Sequence, residues 1–89
     1  MSRIVIDVRS PAEYAARHIE GALNLDIRSA AFGISLAELP KDGEYVVYCG
    51  GGRRAGQARW RMLDAGFTDV TSYGILGAAA ATGRTIVES

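Results

Sequence analysis

Tyr45-Val46-Val47-Tyr48, aromatic and β-branched throughout, runs without a break into Cys49-Gly50-Gly51-Gly52-Arg53-Arg54 and then into a helical stretch. Such a run makes the best strand in the chain. Three successive glycines let the backbone curl through conformations that side chains forbid. A strand that curls straight into a helix is one unit of an α/β fold, where ligands gather at the carboxyl ends of the strands. The curl also aims several unpaired N–H groups at one spot, and the helix dipole favours negative charge there. Cys49 stands at that spot, and the two arginines beside it push the thiol further toward thiolate. Arginines at a helix start oppose the dipole, a small cost that an arriving anion would offset. The segment describes an activated thiol in an anion-binding cradle. The bland alternative is a small buried hydrophobe followed by a flexible turn.

The remaining segments extend the alternation. Arg3 to Val8 holds the apolar run Ile4-Val5-Ile6 and predicts a buried strand. Ser10-Pro11-Ala12-Glu13 combines a capping serine, a proline suited to the first helical position and a capping-box acid, so a helix is expected from about Pro11 to Arg17. Ala22 to Leu25 predicts a second strand entered through Gly21. Ser35-Leu36-Ala37-Glu38 repeats the capping-box pattern and predicts one helical turn before Pro40. A helix from about Ala55 to Ala65 stops at Gly66, Asp69 to Tyr73 makes a last strand, and Ala78 to Ala81 is helical before Gly83. The expected fold class is α/β: a small, mostly parallel sheet flanked by helices, as a single domain over residues 1–89.

Composition narrows the function. In a chain of 89 residues, ten cations balance ten anions, which argues against nucleic-acid binding, because coating phosphates needs a basic excess. One cysteine rules out an internal disulfide, and one histidine beside it makes zinc a poor reading. No apolar run approaches the ~20 residues of a membrane span, and the Met-Ser-Arg-Ile-Val-Ile start is unlike a signal peptide. Charge neutrality is uneven, however. Arg53, Arg54, Arg59 and Arg61 crowd into nine residues just after Cys49 and predict a positive site beside the thiol.

Four stretches, in order, resemble the rhodanese family, in particular its small single-domain thiosulfate sulfurtransferases. They are Ile6-Asp7-Val8-Arg9-Ser10-Pro11-Ala12-Glu13-Tyr14, His18-Ile19-Glu20-Gly21-Ala22-Leu23-Asn24, Tyr48 to Ala58, and Ala65-Gly66-Phe67-Thr68-Asp69-Val70. The resemblance implies a three-layer rhodanese-like domain. It also implies an enzyme in which Cys49 takes the outer sulfur of thiosulfate as a persulfide and gives it to cyanide or a cellular thiol. Backbone N–H groups of Gly50, Gly51, Gly52, Arg53 and Arg54 would hold the persulfide, and Arg54, with Arg53, would attract the thiosulfate dianion. Asp7 and Arg9 would support the site as a salt bridge or loop anchor. No metal and no organic cofactor is called for. Four residues separate Cys49 from Arg54, the sulfurtransferase loop length; related phosphatases place the arginine one residue later, where this chain has Ala55. Phosphatase and arsenate reductase chemistry are disfavoured on that ground.

A persulfide carrier or protein-interaction module, supplied by a partner protein in a sulfur relay, uses the same loop and stays open as the alternative. Gly50 and Gly51 carry no side chains, so an open pocket is expected. His18 is assigned a structural role ahead of a catalytic one, and Glu13 the capping box. Asp26 stands where the family often has proline, and Gly74 lacks the Gly-Gly pair of many relatives. Trp60 is expected to pack across its helix edge under Arg59 and Arg61, with self-association as the minority reading. The expected working unit is a monomer in the cytoplasm, where a lone thiol stays reduced, or in the periplasm if a leader was removed.

Overall fold

The computed structural model of the chain describes residues 3–89. Its elements are β1 (Ile4–Asp7), α1 (Pro11–Ala16), β2 (Arg17–Ile19), β3 (Leu23–Asn24), α2 (Phe32–Leu36), β4 (Glu44–Cys49), α3 (Arg53–Asp64), β5 (Asp69–Gly74), α4 (Ile75–Thr82) and β6 (Ile86–Glu88). Four strands form a wholly parallel sheet in the order β3-β1-β4-β5, as the α/β expectation required. A separate antiparallel ribbon pairs β2 with β6.

The apolar runs of β1 and β4 are continuous because both strands are covered on both faces. The pleat sends alternate residues to opposite sides. Ile6, Val8, Tyr45, Val47 and Cys49 meet Phe32, Leu36, Ala55, Ala58 and Met62 from α2 and α3. Val5, Val46 and Tyr48 meet Ile19, Ala22 and the α4 residues Ile75 and Ala78, with Tyr14 of α1 packed beside them. Helix, sheet and helix thus stack as three layers. No helix among the described residues is long and apolar enough to cross a membrane.

Several local expectations change. The Ser10–Glu13 capping box forms in both directions, and α1 starts at Pro11. The second capping box does not form. Ser35 lies inside α2, whose N-cap Ala31 has no side-chain bond, and the helix is held by burial of Phe32 and Leu36, four apart. Tertiary packing outweighs a local cap there. α3 begins two residues earlier than expected, at Arg53, and α4 three earlier, at Ile75. Both stop at the expected glycines: Gly66 follows the α3 cap, and Gly83 caps α4 by donating to the Ala79 carbonyl. The β2–β6 ribbon was not foreseen. Neither three-residue strand has a pattern of its own, and each exists through its partner.

Candidate active site

Cys49 is the last residue of β4, level with Gly74 at the end of β5. Gly52, at φ 103°, is in the left-handed region that disfavours side chains, and it turns the loop so that its N–H points back at the strand. That N–H donates to Cys49 Sγ at 2.9 Å, and the Ala55 N–H donates at 3.4 Å. Gly52 is the N-cap of α3 and Ala55 lies in its first turn, where the leading N–H groups have no partner within the helix. The sulfur therefore occupies the place of an anion at a helix N-terminus. Of the loop N–H groups assigned from sequence, only that of Gly52 reaches Sγ. Ala55 was missed, although its N–H is a free first-turn donor whether the helix starts at Arg53 or at Ala55, and that signal could have found it.

Gly74 was undervalued. The Gly50 carbonyl accepts the Ile75 N–H at 3.3 Å, which brings the loop against the β5–α4 junction. A Cβ built on Gly74 would lie 2.9 Å from that carbonyl oxygen, so no side chain fits. The outer side of the loop is open: a Cβ on Gly51 would meet nothing within 4 Å. Cys49 itself is only 1% exposed, so the expected openness belongs to the loop and not to the thiol.

The two loop arginines differ. Arg54 donates from Nη1 to Glu13 Oε1 at 2.8 Å and from Nη2 to Oε2 at 3.1 Å. Hydrogen bonding to Arg54, opposed by burial and helped by Ser10, pulls the Glu13 carboxyl down to about 2. Arg54 is raised in turn, by Glu13 first and with a smaller contribution from the Cys49 sulfur. Glu13 thus does more than close the capping box. Arg53 is exposed and has no side-chain partner among the described residues. The other two arginines of the expected positive site are committed elsewhere. Arg59 Nε donates to the Val70 carbonyl at 2.8 Å, while Arg61 Nη1 donates to the Ile27 carbonyl at 3.4 Å and its guanidinium covers the Phe32 ring. The cluster of four in sequence gives two arginines near the thiol.

Asp7 and Arg9 form the expected salt bridge, deep in the fold. Arg9 Nη2 donates to Asp7 Oδ2 at 2.7 Å and to the Arg17 carbonyl at 2.6 Å, and Arg9 Nε reaches both carboxylate oxygens. Asn24 Nδ2 donates to the carbonyls of Asp7 and Arg9, tying β3 to the same corner. The Arg9 guanidinium lies 5.7 Å from the ring centre of Tyr48, the residue before the thiol. Burial pushes the Tyr48 phenol up, and its oxygen accepts the Ile19 N–H at 2.9 Å.

The His18 ring stacks on Tyr14 at 3.8 Å, and its Nδ1 donates to the Tyr14 carbonyl at 2.8 Å. Asp26 makes its turn by accepting the Arg28 N–H at 2.9 Å. Trp60 departs from expectation. Its arginine neighbours reach away from it, and the residue stays 70% exposed. A hollow of about 350 Å³ lies beside α2, lined by Pro11, Asn24, Asp26 and Phe32 among others; Cys49 is not part of it.

Residues 1–75 match the family model described as Rhodanese-like domain. The chain is similar to the thiosulfate sulfurtransferase PspE of Escherichia coli strain K12, with 36% identity over 69 residues, 78% of this chain and 66% of that one. It is also similar to the probable adenylyltransferase/sulfurtransferase MoeZ of Mycobacterium tuberculosis, with 40% identity over 65 residues, 73% of this chain and 17% of that one. The match thus spans less than two thirds of either relative. Among solved structures, a rhodanese with anions from E. coli superposes with a TM-score of 0.78 and 29% identity, covering 99% of this chain and all of the other.

Proposed function

The chain belongs to the rhodanese-like domain family, and from that premise we propose that it moves the outer sulfur of thiosulfate through a persulfide on Cys49 to a thiophilic acceptor. The observation that carries this proposal is the pair of N–H groups, from Gly52 and Ala55, directed at the Cys49 sulfur. In the first displacement the Cys49 thiolate attacks the outer sulfur of thiosulfate. The old sulfur–sulfur bond breaks, sulfite leaves with the electron pair, and an anionic persulfide stays on Cys49. In the second, cyanide or a thiolate attacks the terminal sulfur and the Cys49 thiolate departs. Charge balances in both steps, and one transfer becomes two displacements.

Throughout the cycle a negative sulfur sits at the loop. Converging N–H groups stabilise it as an oxyanion hole stabilises oxygen, at no cost of reorganisation during the reaction. The curled backbone of Gly50, Gly51 and Gly52 gives the cradle its shape, and Arg53 and Arg54 attract the dianionic donor. Asp7 and Arg9 hold the neighbouring corner. Neither displacement calls for a metal or an organic cofactor. We read residues 1–89 as one domain acting as a monomer. The cytoplasm suits a lone reactive thiol.

Incubation with thiosulfate followed by intact-mass measurement tests the proposal. One added sulfur is expected, released as thiocyanate on adding cyanide and absent in Cys49→Ser. A wild-type protein that gains no sulfur would overturn it. The open outer side of the loop at Gly51 favours a second donor, a persulfide-bearing protein. Loading by such a protein where thiosulfate fails would select that relay.

A further inference from the structure

We propose that Glu13 is a positioning residue of the sulfur-transfer site, fixing the direction in which Arg54 presents its donors to the anionic sulfur donor. The proposal rests on the sulfurtransferase reading of this site. The two residues lie 41 apart in sequence and meet through both tips of the guanidinium, at 2.8 and 3.1 Å. Glu13 is itself anchored. Its Oε1 accepts the Ser10 N–H and hydroxyl, both at 3.1 Å, while its own N–H donates to Ser10 Oγ at 3.2 Å. The first turn of α1 is therefore a rigid post. Arg54, in the first turn of α3, is tied to it beside the Cys49 loop, its Nη2 3.7 Å from where a Cβ on Gly50 would stand.

Arg54 has five N–H donors in a planar fork, and Glu13 uses two of them. The three left over have a fixed direction, so an arriving anion does not have to order a free side chain. Glu13 also offsets the charge of Arg54, which weakens simple attraction. Long-range attraction then falls mainly to Arg53, exposed and unpaired among the described residues. One arginine recruits and the other aligns.

Steady-state kinetics with thiosulfate and cyanide on the full chain decide the matter. Glu13→Gln keeps an acceptor for the capping box but removes the charge and the second contact to the fork. Arg54→Lys keeps the cation and removes the fork. Each is expected to raise the thiosulfate KM ~5–10-fold with kcat within about twofold, and the double variant is expected to be no worse than either single one. An unchanged or lowered KM in Glu13→Gln, or additive losses in the double variant, would overturn the proposal and leave Glu13 as a helix cap. Should Glu13→Gln fail to fold, Glu13→Asp, which keeps the charge but withdraws the carboxylate, must show the same KM rise, and a wild-type KM there overturns the proposal equally. Sulfur loading of the wild type separates the two levels. No loading removes the sulfurtransferase function itself, whereas normal loading with an unaltered Glu13→Gln removes only the positioning role.

Discussion

Two carboxylate–arginine pairs flank the thiol, and they differ in nearly everything but chemistry. Asp7 and Arg9 are two residues apart, with side chains 0% and 6% exposed. Glu13 and Arg54 are 41 residues apart, with side chains 39% and 23% exposed. The first pair satisfies its polar atoms inside the fold, binding the end of β1 to the carbonyl of Arg17 and, through Asn24, to β3. The second is partly exposed beside the loop, where solvent screening makes its net contribution to stability small. Depth thus separates a pair that holds the architecture from one suited to aligning an anion.

The largest expected effect breaks the deep pair. Asp7→Ala leaves the Arg9 guanidinium buried without its counter-charge, at a cost of about 3–5 kcal/mol. Small domains have only about 5–15 kcal/mol in total, so a large drop in the urea midpoint should result. A loss below about 1 kcal/mol would place this pair with surface bridges and erase the contrast.

The outer pair gives a smaller effect with a defined sign. The Glu13 carboxyl goes from an ordinary 4.5 to about 2 in the fold. A lowered carboxyl contributes stability above its unfolded value, and the contribution disappears as pH falls toward the folded one. The stability difference between wild type and Glu13→Gln should therefore shrink between about pH 4.5 and 2. A difference constant across that window would mean that the carboxylate is not held by Arg54. The smallest effect is expected at Trp60, whose exposed ring has no packing to lose. Trp60→Ala should shift stability by no more than ~0.5 kcal/mol in a urea melt. A larger loss would reveal a packed ring and restore the expected arginine cover.

Much of the fold was legible because its signals are local. β1 and β4 declare themselves by apolar runs, α1 by Ser10, Pro11 and Glu13, and the ends of α3 and α4 by Gly66 and Gly83. Strand-end position and three glycines likewise locate Cys49 in an N–H cradle, using only adjacent residues. Three of the misses share one cause, contact between residues distant in the chain. α2 runs from Phe32 because the core takes Phe32 and Leu36, overriding a sound capping pattern at Ser35. β2 and β6 find each other across most of the chain. Gly74 matters only because the Gly50 carbonyl arrives 2.9 Å from where its Cβ would stand.

By itself, then, the sequence determined the alternation of strands and helices, the position of the thiol and the glycine curl around it. These depend on torsional freedom, propensity and spacing within a few residues. Tertiary structure alone decided which arginine stays free, which is tied to Glu13 and which leave the site for the carbonyls of Val70 and Ile27. A guanidinium on a long flexible stem can reach many partners. Only the packed backbone decides which carboxylate or carbonyl lies within hydrogen-bond reach of it.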